Sequence, residues 1–328
     1  MKVFATKVIP DIAKTLLSAN NIQVDEWEKE VPISKEELIQ TLTNGHYAGL
    51  FVVGVKIDAE IIRAIQNNIK VISLLSVGFD NIDLQAATKA GIPVSNTPDV
   101  LNNATAETAF LLMQNVARKA FYNYKRILEG KWSNESFTTN LGIDLQGKTI
   151  GIFGLGKIGF VMAELCKAAF NMEVIYHNRS RNEKADKTLH AQFVSFNELL
   201  DRSDVLSLHC ALTPQTTRIF NAAAFKKMKK SAILINTARG KVIDEPALIN
   251  ALQEKEIWGA GLDVTDPEPM QPANPLLQMP NVAVLPHIGS ATVGTRNKMG
   301  QLAAENMLLG LTDQRLKTII NKELYSGK

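Results

Sequence analysis

The sequence predicts two α/β units, each built on a parallel sheet with helices packed on its faces. Three observations predict this: short β-branched runs alternate with helical patterns from end to end, one glycine-rich turn joins an apolar strand to a helix in mid-chain, and no internal repeat or low-complexity tract breaks the series. At 328 residues the chain is long enough for two domains and a large core.

The first unit is expected over residues 1–100 together with 288–328. Its strands read Lys2–Ile9, Ile22–Glu26, Gly49–Val55, Lys70–Leu75 and Ile92–Ser95, and the helices between them carry start signals such as Ser34 followed by Glu37, a capping box. The second unit, 101–287, opens with one long helical pattern from Asn102 to Glu129, which ends at Gly130 and runs into a polar stretch expected as loop, Trp132-Ser133-Asn134-Glu135-Ser136. Six strands follow: Thr149–Phe153, Met172–Tyr176, Val205–His209, Ala232–Asn236, Gly261–Val264 and Val282–Leu285. The last apolar helix, about Ala291 to Leu311, has no sheet of its own to join and is expected to pack back on the first unit.

Composition excludes several classes. Apolar residues at 45% and charged residues at 21% do not describe a disordered chain. Lys and Arg total 36 against 33 Asp and Glu, and a net charge of +3 is too balanced to bind nucleic acid or an anionic membrane by bulk charge. No apolar run is long enough to span a membrane, and Met1 to Lys7 lacks a signal core, so a cytoplasmic protein is expected. Cys166 and Cys210 lie in apolar stretches without metal-ligand spacing, so they read as structural thiols, and no metal site is expected. Lys226-Lys227-Met228-Lys229-Lys230 reads as a solvated helix end, and His46, His177, His190 and His209 take no role.

The sharpest motif is Gly154-Leu155-Gly156-Lys157-Ile158-Gly159, which follows the strand Thr149–Phe153 and opens a helix. In that context Gly154 permits the tight turn, Gly156 lets a pyrophosphate approach the backbone, and Gly159 lets helix and strand pack closely. With six strands around it, the second unit reads as a dinucleotide-binding sheet. An NAD site then needs a carboxylate after the second strand, but the segment there is Tyr176-His177-Asn178-Arg179-Ser180-Arg181, with no acid between Glu173 and Glu183. Arg179, Ser180 and Arg181 stand where a 2′-phosphate would lie. NADP(H) is therefore the favoured cofactor, with NAD(H) left open and solvated loop charges as the alternative reading of the arginines. The expected cofactor residues are Gly154, Leu155, Gly156, Lys157 and Ile158 in the turn, Asn178, Arg179 and Ser180 after the next strand, and Thr237 and Ala238 after a later one.

Three further segments end later strands: Asn236-Thr237-Ala238-Arg239-Gly240, Asp263 to Pro269, and Pro286-His287-Ile288-Gly289-Ser290. Ligands of open parallel sheets bind beyond the carboxyl ends of the strands, so Arg239, Glu268 and His287 are expected to converge.

With these residues in view, the chain resembles the D-isomer-specific 2-hydroxyacid dehydrogenase family over essentially its whole length. The resemblance runs through Ser76 to Asp83, Ala104-Thr105-Ala106-Glu107, Gly154 to Gly159, Asn236 to Gly240, Gly261-Leu262-Asp263, Glu268-Pro269 and Pro286 to Ser290. It is most similar to the glyoxylate/hydroxypyruvate reductase branch, through Asn178-Arg179-Ser180 and Ile288 to Thr292 followed by Thr295-Arg296. The resemblance implies a Rossmann coenzyme domain and a flavodoxin-like substrate domain with the active site in the cleft between them. It implies that Arg239 binds the substrate carboxylate, that His287 is the acid/base and Glu268 its partner, that the backbone at Val77 and Gly78 receives the carboxylate, and that Asp263 and Thr105 stand near the nicotinamide. It further implies a small 2-oxo or 2-hydroxy acid as substrate, and a homodimer formed through an arm at about 102–145. Where the family's eukaryotic reductases carry tryptophans in that arm's loop, this chain has Trp132, then Phe137 and Thr139. The competing readings are an NAD-linked D-3-phosphoglycerate or D-lactate dehydrogenase and a dinucleotide-sensing corepressor-like binding protein.

Overall fold

Two all-parallel sheets organise the chain, one in each of two units. The computed structural model describes residues 1–134 and 136–325, so Glu135 of the expected polar loop lies outside the described residues. The units are Met1–Leu101 with Ser290–Lys328, and Asn102–Gly289.

In the first unit β1 (Lys2–Ala5), β2 (Gln23–Glu26), β3 (Gly49–Val52), β4 (Val71–Leu74) and β5 (Val94–Ser95) lie in the order β2-β1-β3-β4-β5. The residues of β3 and β4 are buried throughout, as a parallel sheet covered on both faces requires. β1 ends earlier than its apolar run suggests. At its exit Thr6 Oγ1 accepts the Val53 N–H at 2.8 Å and donates to the Val53 carbonyl at 3.2 Å, so a side chain takes over where the ladder stops. The expected capping box forms: Glu37 N–H donates to Ser34 Oγ (3.2 Å) and Ser34 N–H to Glu37 Oε2 (3.1 Å). The last helix, Val293–Leu311, joins this unit by burying Ala303, Ala304, Met307 and Leu311 in a core with Val3, Ala5, Phe51 and Val71. Beyond it the chain covers the β5 edge, where fully buried Asn321 accepts the Val94 N–H and donates to the Ile92 carbonyl, each at 2.9 Å.

The second unit has seven strands where the sequence predicts six: β6 (Thr149–Phe153), β7 (Glu173–His177), β8 (Gln192–Phe193), β9 (Val205–Leu208), β10 (Ile233–Asn236), β11 (Gly259–Leu262) and β12 (Val282–Val284). The additional strand, β8, is a two-residue edge piece with both residues exposed, so no apolar run announces it. The order is β12-β11-β10-β9-β6-β7-β8, the Rossmann arrangement extended by one strand, and it reverses between β6 and β9.

The single helix expected from Asn102 to Glu129 is instead two, Asn102–Arg118 and Ala120–Leu128, separated by Lys119 at φ 53°. The first buries Ala109, Leu112, Met113 and Val116 in the core with β6 and β10; the second buries none of its residues. No glycine or proline marks the break, because a lysine in the left-handed region makes it. Among the described residues no helix is long and apolar enough to cross a membrane.

Candidate active site

β6 runs into Gly154 at φ +92°, and a Cβ there would stand 2.7 Å from the Cys210 nitrogen, so the exit of neighbouring β9 excludes any side chain. The next residue is clamped. Leu155 N–H donates to Asn178 Oδ1 at 2.6 Å, and its carbonyl accepts from Asn178 Nδ2 (3.2 Å) and Asn182 Nδ2 (3.0 Å). Gly156 then caps the helix Lys157–Phe170 in extended geometry with no side-chain cap, and a Cβ on it would meet nothing within 4 Å. The first turn of that helix thus presents N–H groups and the positive end of its dipole to open space, the chemistry a phosphate needs. At Gly159 a Cβ would fall 2.8 Å from Ile152 Cγ2, so the third glycine sets the helix against the strand.

After β7 the two arginines differ. Arg181 Nε is paired with Asp186 Oδ2 at 2.5 Å, and Asp186 also accepts from the Tyr176 hydroxyl at 2.8 Å. The Arg181 bond is the largest influence on Asp186; with the Tyr176 bond it outweighs the opposing effect of burial and holds the carboxyl below its usual range. Arg179 and Ser180 are exposed, and among the described residues neither has a hydrogen-bond or charge partner.

β10 delivers Asn236, fully buried, whose Oδ1 accepts the Ala238 N–H and whose Nδ2 donates to the Arg239 carbonyl, each at 2.9 Å. The turn Thr237-Ala238-Arg239 is fixed from beneath in this way, and buried Thr237 Oγ1 finds no partner among the described residues. Gly240 follows because a Cβ would stand 2.0 Å from the Thr265 carbonyl of the β11 exit.

That exit begins with buried Asp263. Its carbonyl accepts the His287 N–H at 2.9 Å, Oδ1 the Ile288 N–H at 2.7 Å and Oδ2 the Gly289 N–H at 2.8 Å. Burial pushes the Asp263 carboxyl above its ordinary range, and these two N–H bonds pull it only part of the way back. Thr105 flanks the same turn, 3.4 Å from where a Gly289 Cβ would be. His287 itself lies at φ 56°, and its Nδ1 is 2.9 Å from Glu268 Oε2. Glu268 Oε1 accepts the Thr265 N–H at 3.0 Å, which orients the carboxylate. Burial raises the Glu268 carboxyl, but the bonds from His287 and Thr265 and the charges of His287 and Arg239 outweigh it and leave it below the usual carboxylate value.

On the first unit, the backbone after β4 is also oriented. Asn96 Nδ2 donates to the Val77 carbonyl (2.8 Å) and Ser76 Oγ to the Gly78 carbonyl (2.7 Å), while among the described residues no acceptor engages the N–H groups of Val77 and Gly78.

Residues 110–289 match the family model for the NAD-binding domain of D-isomer-specific 2-hydroxyacid dehydrogenases. The chain is 37% identical over 324 residues to the glyoxylate reductase of Korarchaeum cryptofilum, covering 98% of this chain and 96% of that one. It belongs to the D-isomer-specific 2-hydroxyacid dehydrogenase family. Among solved structures of similar proteins, one from Thermus thermophilus superposes with a TM-score of 0.90 at 39% identity, covering 98% of this chain and all of that one. An NADPH-dependent glyoxylate/hydroxypyruvate reductase from Sinorhizobium meliloti, solved with NADP and malonate, gives 0.83 at 29% identity over 98% of this chain and 97% of that one. As a 2-hydroxyacid dehydrogenase the protein is an oxidoreductase using a nicotinamide dinucleotide, and its residues fit one: the uncapped helix start and open Gly156 face suit the pyrophosphate, and the exposed segment after β7 carries no competing acid.

Two features of this dehydrogenase escape sequence reasoning. Asn182 helps to clamp the glycine turn from 27 positions away, and only its asparagine chemistry hints at it. His209, assigned no role from sequence, packs 3.4 Å from where a Gly159 Cβ would be, with Nε2 2.8 Å from Ser207 Oγ, and burial drives its pKa down to about 3. It is a neutral wedge under the nucleotide turn.

The lowered Glu268 carboxyl sets a pH prediction. Its charge is complete above the ordinary carboxylate range near 4.5 and is lost only as pH falls through its lower native value, so the ion pair with His287 persists to pH below 4.5. The reduction profile is expected to show an acid limb below that pH, and Glu268→Gln should remove the limb while lowering the neutral-pH rate. A steady-state pH profile identical in both proteins would make Glu268 a bystander.

Proposed function

We propose that the protein is an NADPH-preferring reductase of small 2-oxo acids, converting glyoxylate to glycolate and hydroxypyruvate to D-glycerate. The observation that carries this reading is the His287 Nδ1 to Glu268 carboxylate contact beside Arg239 at adjoining strand exits of the coenzyme unit. Because Nδ1 is occupied by the carboxylate, Nε2 is the atom left to give a proton to the substrate's carbonyl oxygen as it becomes an alkoxide. Glu268 stabilises the imidazolium that donates. Arg239 offers a planar fork to the substrate carboxylate and so fixes which face of the carbonyl is presented. On the first unit, the N–H groups of Val77 and Gly78, which no acceptor engages among the described residues, are carboxylate-binding groups in this reading. When bound, the cofactor supplies the hydride.

A second copy of the chain is the partner this reading includes. The helix Ala120–Leu128 buries nothing within the chain, and Tyr124, Ile127, Leu128, Trp132 and Phe137 are exposed on and just beyond it. Such a concentration of apolar surface exceeds the scattered exposure of a monomer and suits a homodimer arm.

The direct test is turnover of glyoxylate and hydroxypyruvate with NADPH in the wild type and in His287→Ala. The variant should lose roughly 10²–10⁴-fold in kcat while its cofactor Kd changes little, since a proton donor is lost and a cofactor contact is not. Near wild-type turnover would exclude His287 as the acid.

The cofactor preference rests on Arg179 and Ser180, exposed and uncommitted, at a strand end with no carboxylate to repel a 2′-phosphate. An exposed guanidinium is screened by solvent, so a preference for NADPH of about 10- to 100-fold in kcat/KM is expected. Arg179→Ala should remove most of it and leave NADH kinetics nearly unchanged. Equal use of both cofactors by the wild type would contradict the assignment.

A further inference from the structure

The first unit's sheet has its own reversal. From β1 the chain moves outward to β2, then returns to lay β3 on the other side of β1. In doubly wound sheets such a reversal opens a crevice at the carboxyl ends of the two strands, and ligands enter there. Lys7 and Gly54 stand at that crevice, each two residues beyond the last residue of its strand, Ala5 of β1 and Val52 of β3. The Thr6 side chain ties the two exits together through Val53, so both are rigid where they diverge. Gly54 adopts φ +69°, and the one atom within 4 Å of a Cβ placed on it is Lys7 Nζ, at 3.9 Å. The ammonium therefore lies across the mouth of the crevice, over a residue that has no side chain to displace it.

Other lysines of this unit include paired ones, Lys2 with Asp25, Lys14 with Asp11 and Glu26, and Lys35 with Asp58 and Glu60. Among the described residues Lys7 has no acidic or hydrogen-bonding partner. The strand beyond β3 is β4, in register with it through Val52 and Leu74, and it exits into Ser76-Val77-Gly78. β3 and β4 are adjacent parallel strands, so the exits that carry Gly54 and Val77-Gly78 leave the same end of the sheet side by side.

We propose that Lys7 is a specificity-determining residue whose ammonium takes the polar substituent on C3, a hydroxyl or carboxylate, of a 2-oxo acid held by its C1 carboxylate at Val77 and Gly78. This rests on the 2-oxo acid reading above. A three-carbon 2-oxo acid carries a polar group on C3, beyond its carbonyl, whereas glyoxylate ends at C2 and offers the ammonium nothing. Lys7 thus favours the larger, polar substrate.

The test compares kcat/KM for hydroxypyruvate and glyoxylate in the wild type, Lys7→Met and Lys7→Arg, with thermal unfolding to check that each variant folds. Methionine keeps an unbranched apolar stem and removes the charge. For Lys7→Met the hydroxypyruvate value should fall about tenfold more than the glyoxylate value, mainly through KM, and Lys7→Arg should restore part of the difference. An unmoved ratio in an active Lys7→Met protein would overturn the role of Lys7 and leave the reductase reading standing. An equal loss for both substrates would overturn it too, because the ammonium would then serve the shared carboxylate. A wild type that reduces neither acid with either cofactor would overturn the reductase reading, and this inference with it.

Discussion

The Asp263 carboxylate accepts two consecutive backbone N–H groups, those of Ile288 and Gly289, while its own carbonyl takes the N–H of His287. A single residue at the end of β11 therefore dictates the path of the chain after β12. That path holds His287 in the left-handed region at φ 56°, a conformation costing a non-glycine residue about 1–3 kcal/mol. Two charge-assisted bonds of about 1.5–3 kcal/mol each are sufficient to hold it there. Loss of the clamp would leave His287 free to relax, and the Nδ1 contact with Glu268 would go with it. Burial pushes the Asp263 carboxyl upward because the site gives up solvation of that group for geometry.

The same arrangement recurs at the exits of β6, β10 and β11 in the coenzyme unit. Asn236 folds the turn that carries Arg239, Asn178 and Asn182 grip Leu155, and Thr265 orients Glu268. In each case a buried or half-buried polar group commits its hydrogen bonds to backbone, so the groups left uncommitted face outward. The glycines complete the pattern: Gly154 and Gly240 are required by neighbouring backbone, whereas Gly156 borders empty space, the position where a phosphate can approach.

Much of this was legible in the sequence. The glycine motif, most strand cores, the capping box at Ser34 and the grouping of Arg239, Glu268 and His287 behind successive strands follow from periodicity and from the rule that ligands lie beyond the carboxyl ends of parallel strands. The misses have physical causes. β8 is two exposed residues and carries no hydrophobic signal, and the break at Lys119 occurs in a residue that ordinarily favours helix. Arg179 and Arg181 look equivalent in sequence; only the fold shows that Asp186, five positions on, claims Arg181. For Asp263 the family resemblance implies a place near the nicotinamide, but its bonds to the 288–289 backbone depend on a contact across 25 positions that no local pattern encodes.

Asp263 acts, on this account, by holding His287 in place. Asp263→Asn tests it most directly, because the amide keeps the volume, retains one acceptor and sets a donor against the other N–H. With cofactor Kd and kcat measured on the same preparation, kcat for a 2-oxo acid should fall by at least about 10²-fold, the scale expected from a misplaced catalytic group, while cofactor Kd moves far less. A variant that turns over at the wild-type rate, or one whose loss lies wholly in cofactor binding, would contradict it.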